Sequence, residues 1–103
     1  MRLVSVLLFL ALTVPAQDGQ RQLLREFDEV TAKATALIEA VDGYERTARQ
    51  AGVRVHPRIS LRRLLLEAAM DDAETQIKGR RWKAAAEKIA EIRGHLAKLA
   101  ASL

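Results

Sequence analysis

Few side chains in this 103-residue sequence have types that could do chemistry: His56, His95, Met70, the adjacent Asp71 and Asp72, and the serines Ser60 and Ser102. A haem or metal site would draw on the histidines and the methionine. With a helical turn near Gly79 and Arg80, Met70 falls opposite Ile89, while His95 falls opposite Leu64. That offset is about 9 Å along the helix axis, too far for two axial ligands of one iron. His56 and His95 come to the same end of such a hairpin, but the spacing places no third ligand beside them. There is no cysteine, which excludes a thiol nucleophile, a thiolate metal site and a disulfide. Ser60 and Ser102 have no patterned histidine and acid partner, and Ser60 reads as a helix cap. Asp71 and Asp72 project about 100° apart on a helix, so they form a solvated face and no facing dyad. The sequence is therefore read as non-enzymatic, with no catalytic residue, no metal and no cofactor.

The elements that position these residues begin after a leader. Arg2 supplies a positive charge and Leu3 to Val14 is almost wholly apolar, with Pro15 and Ala16 following. This layout reads as a secretory signal peptide over residues 1–16, cut between Ala16 and Gln17. A membrane span needs about 20 apolar residues, so the run is short for a permanent anchor, although an uncleaved anchor is the alternative. Together with the alanine- and arginine-rich composition, it points to a bacterial exported protein, periplasmic or secreted. Residues 17–103 then form one domain.

From Leu23 the apolar positions are Leu23, Phe27, Val30, Ala34, Leu37, Val41, Tyr44, Ala48 and Ala51. Steps of four and three make a continuous seam on one helix face. This predicts a long first helix over about 19–51, with Asp18 as its N-cap and Gly52 as its end. A linker, GVRVHPRIS, follows. Ser60 is expected to cap a second helix over about 60–78, closed by Gly79. A third helix over about 81–102 carries the seam Trp82, Ala85, Ile89, Ile92, Leu96, Leu99 and Leu103. Trp82 opens that seam and is read as a buried core residue. The expected fold class is all-α: an antiparallel three-helix bundle with a thin, alanine-rich core.

The hairpin from Ala69 to Leu99 resembles one tetratricopeptide unit, through Ala73, Gly79, Trp82 and Ala85. The likeness covers about a third of the chain. Gln76 stands where that family prefers an aromatic, and the period is not repeated, whereas such solenoids need about three repeats. The likeness is read as shared hairpin physics.

Charge and leucine placement carry the functional expectation. The chain has 17 Lys and Arg against 13 Asp and Glu, a formal charge of +4. Folding the helices antiparallel masses Arg46, Arg49, Arg54, Arg58, Arg62, Arg63, Arg93 and Lys98 at the linker end. Arg62 and Arg63 fall in the expected first turn of the second helix, where the helix dipole disfavours cations. Leu64, Leu65 and Leu66 are consecutive and cannot share one face. Arg54, Arg58, Arg62, Arg63, Leu64 and Leu65 are therefore the expected partner- or anion-binding residues. The leading expectation is an exported interaction or structural module that docks a protein partner or self-associates. The alternatives are a binder of anionic membrane surfaces or envelope polymers, and a small metal- or ligand-carrying bundle. Nucleic acid is disfavoured, since export removes the protein from it and no aromatic platform accompanies the arginines.

Protein recovered from its native host should have an intact mass beginning at Gln17. An exported fraction that retains Met1 contradicts the leader assignment.

Overall fold

Apolar residues stepping by four and three form helices because only that period lines one face of a 3.6-residue turn. The computed structural model describes the backbone of residues 2–103 and the side chains of residues 18–103. It contains α1 (Arg2–Gln50), α2 (Pro57–Lys78) and α3 (Trp82–Ser102), with no strand among the described residues. The expected leader over residues 1–16 and its cut between Ala16 and Gln17 lie outside the fully described residues. Because α1 continues past Asp18 on its N-terminal side, Asp18 stands inside the helix and does not cap it.

The first and third seams pack as their spacing requires. Leu23, Val30, Ala34, Val41 and Ala48 are buried on α1, and Ala85, Ile89, Ile92 and Leu99 on α3. On α2 the buried set is Ile59, Leu66, Ala69 and Ala73. The α2–α3 interface is the most extensive, and α1 lies more against α3 than against α2. Trp82 packs against the core as expected but is not fully enclosed by it. Its ring is half-buried and packs against the margin of the core, because it is the first residue of α3 and no helix continues beyond it. Tyr44 likewise leaves the seam, half-exposed on α1.

Both helix ends along the chain close in the same way. At the end of α1, Gly52 N–H donates to Arg49 C=O (3.0 Å) and Val53 N–H to Ala48 C=O (2.8 Å). This is a Schellman closure with Gly52 at φ 74°. At the end of α2, Arg80 N–H donates to Ile77 C=O (3.0 Å) and Arg81 N–H to Gln76 C=O (2.9 Å). The left-handed position there is Arg80, at φ 55°, and not Gly79 as the sequence suggests. A Cβ on Gly79 would lie 2.8 Å from the Arg81 guanidinium carbon, a contact that the flexible arginine can relieve by shifting.

The start of α2 also differs from expectation. His56 is the N-cap, its Nδ1 accepting from Arg58 N–H at 3.1 Å, and Pro57 follows as the first helical residue. Proline suits that position because its missing N–H is not needed there and its φ is already helical. Ser60 is thus inside the helix. Arg62 and Arg63 move from the first turn to the second, which removes most of the expected conflict with the helix dipole.

Arg80 is a residue with a Cβ in a conformation that glycine adopts without steric cost. Arg80→Gly should raise the free energy of unfolding by about 1 kcal/mol. Urea unfolding checks this as a higher midpoint at unchanged slope.

Candidate functional site

The linker end is assembled from the end of α1, residues 51–56, the first two turns of α2 and the last turn of α3. The adjacent arginines of α2 project about 100° apart, so they reach opposite neighbours. Arg62 turns to α3, its Nη1 donating to Lys98 C=O (3.0 Å) and to the Ser102 hydroxyl. Ser102 Oγ donates in turn to the same carbonyl at 2.8 Å. Arg63 turns to α1 and to its own helix. It pairs with Asp42, donates from Nε to Glu67 at 3.0 Å, and has Glu45 at 3.9 Å. Its pKa is raised above the usual arginine value, first by the hydrogen bond to Glu67 and then by Asp42, against some desolvation. Arg63 is therefore a structural clasp between α1 and α2.

The remaining expected cations separate. Arg54, in the linker, and Arg58, in the first turn of α2, are exposed and make no ion pair among the described residues. Arg93 is drawn out of the cluster, with Nη2 4.0 Å from Glu26 Oε2 on α1. Lys98 contributes its carbonyl to Arg62. The basic pole is thus narrower than the sequence implies, and two of its central arginines are held by groups of the same chain.

The leucine run divides as its geometry demands. Leu66 is fully buried, whereas Leu64 is 61% and Leu65 43% exposed. Leu61 is 56% exposed. The sequence reading left Leu61 out of the site, yet its spacing of three and four to Leu64 and Leu65 puts all three on the side of α2 away from the buried seam. Val53, in the neighbouring linker, is also exposed.

Two clefts border this end. One, of about 310 Å³, is lined by His56, Arg58, Ile59, Arg62, Ala101 and Ser102. The other, of about 340 Å³, lies between the end of α1 and the linker, with Arg49, Arg54 and Ser60 in its wall. No known protein family matches this chain, nor does any curated protein or solved structure. The site must be read from its own chemistry.

Three of the residues weighed as ligands or acids have other roles. The His56 ring caps α2. Met70 is half-buried and packs on the core. Asp72 lies 3.8 Å from Lys88, and the carbonyl of Asp71 accepts from Thr75. Among the described residues, no three His, Asp or Glu side chains cluster so as to hold a metal. No helix among them is long and apolar enough to cross a membrane.

In a double-mutant cycle, Arg63→Gln and Asp42→Asn should show a coupling of about 0.5–1 kcal/mol. The coupling should shrink at about 1 M salt, because the pair is only partly shielded from solvent.

Proposed function

We propose that the protein is a non-enzymatic, exported helical module that docks a partner helix through the outward face of α2. One observation carries this reading: Leu61, Leu64 and Leu65 lie together on one side of α2 and all three are exposed. Burying a leucine fully contributes about 1.5–3 kcal/mol, so three half-exposed leucines leave a substantial driving force unused. An amphipathic helix laid along that face would use anchors three and four residues apart. Arg58, three residues before Leu61 on α2 and without an ion partner within the described chain, borders the face and favours a partner carrying acidic groups.

An antiparallel bundle is the architecture that supports this surface. Arg62 near the start of α2 meets Lys98 and Ser102 near the end of α3. Asp72 further along α2 meets Lys88 nearer the start of α3. These pairings suit helices running in opposite directions, with α1 clasped to α2 by Arg63 and Asp42. The apolar leader, Leu3 to Val14, is what supports export.

Changing Leu61, Leu64 and Leu65 together to serine should leave the fold intact and lower stability by about 1–2 kcal/mol, since none of the three is in the core. Association with the partner, or self-association seen by sedimentation equilibrium, should be lost. In the wild type it should persist between about 0.1 and 1 M salt, as expected of apolar burial. A serine variant that associates as tightly as the wild type overturns the reading.

A further inference from the structure

The geometry points to a phosphate-binding site in the cleft where the start of α2 meets the end of α3. This site does not rest on the leucine face and shares only Arg58 with the surface proposed there. The cleft, about 310 Å³, is large enough for an oxyanion with part of a larger molecule attached. Two arginines and a histidine line it, with Ser102 beside them, and no carboxylate is among its lining residues.

The contrast with Arg63 shows what is unusual here. Arg63 has three carboxylates around its guanidinium. Arg62, the next residue, is within ion-pair distance of none among the described residues, and its acceptors are a neutral carbonyl and a hydroxyl. Those two bonds use the Nη1 hydrogens and fix the guanidinium plane. Three of its five N–H donors remain without a partner within the described chain. Arg58 is one helical turn away on the same side of α2 and its side chain has no described partner. Like charges at this spacing repel and weaken a helix. A bound dianion converts that repulsion into two charge-assisted contacts, for which the planar guanidinium fork is well suited.

His56 adds directionality. Its Nδ1 accepts from Arg58 N–H, so the neutral ring carries its hydrogen on Nε2, which is left as a donor. Pro57 has no N–H and that of Arg58 is taken, while Ile59 N–H donates to His56 C=O at 2.9 Å. The site is thus made by side chains, with its backbone donors already committed. Ile59 and Ala101 supply apolar walls that reduce competition from water.

The full chain, titrated with inorganic phosphate and with chloride at matched ionic strength, tests this by amide chemical shifts. Saturable changes confined to residues 56–62 and 98–102 are expected with phosphate, and none that saturate with chloride. Arg58→Gln, which removes no described intramolecular contact of that side chain, should weaken binding roughly tenfold or more. Arg49→Gln, on the other cleft, should not. A parallel titration with phosphatidylglycerol vesicles separates a lipid headgroup from free phosphate as the source. Arg58-dependent binding of either probe supports the site. Binding of neither, an equal response to chloride, or Arg58→Gln binding as tightly as wild type overturns it. The triple serine variant of the leucine face should bind phosphate as the wild type does, so the two readings fail separately.

Discussion

Small side chains at the helix contacts set the terms for this protein. Ala34, Ala73 and Ala85 have no exposed surface, and Ala48 and Ala69 have little. Alanine at such positions lets backbones approach closely but buries little apolar area per residue. Most of that area comes from a few larger residues, of which Leu66, Ile89, Ile92, Leu99 and Val41 are fully enclosed. Closely approaching helices leave no interior room for further large side chains. The other leucines at the start of α2 lie on the side away from the buried seam and stay outside the core.

A core of this kind leaves much of the orientation of the helices to polar contacts at their margins. Arg62 and Arg63 do complementary work because they are adjacent. A 100° step sends one guanidinium to α3 and the other to α1, so one turn of α2 is tied to both neighbours. The two differ in what satisfies them. Arg63 is neutralised by acids, whereas Arg62 is held only by dipoles and keeps its charge available at the rim of a cleft. Position in the fold, more than residue type, separates a structural arginine from one able to recognise a ligand.

Much of this was legible in the sequence wherever a period was present. The seams of α1 and α3 could be read because four-three spacing has one structural meaning. Leu66 was separable from Leu64 and Leu65 because consecutive helical residues diverge. The helix ends were harder. Gly52 occupies the left-handed position its type suggests, but at the end of α2 that position falls one residue later, at Arg80. The His56 cap was signalled only by Pro57 at the first helical position, while Ser60 offered a more familiar but false start. The pairing of Arg63 with Glu67, four residues on, is readable from spacing, but the cross-helix destinations of Arg62, Arg63 and Arg93 were not legible, since they depend on how α3 and α1 are rotated against α2. Trp82 packs on the core as its spacing suggests but is less enclosed than Ile89 or Ile92, because spacing places a residue on a face without saying how far that face is covered at its end.

The three-residue connection Gly79–Arg81 between α2 and α3 bears on how quickly the chain finds this arrangement. The most extensive interface joins helices that are neighbours in sequence, and the described hydrogen bond of longest reach, Arg62 to Ser102, spans only 40 residues. Loop-closure entropy rises with the span to be closed, so little is lost before the first contacts form. Topologies of this kind fold in microseconds to milliseconds. The α2–α3 pair, joined by the shortest connection, needs the least loop closure to form its contacts. The α1 helix, whose contacts with α2 and α3 are fewer, carries an apolar strip from Leu23 to Ala48 that only those contacts keep from solvent.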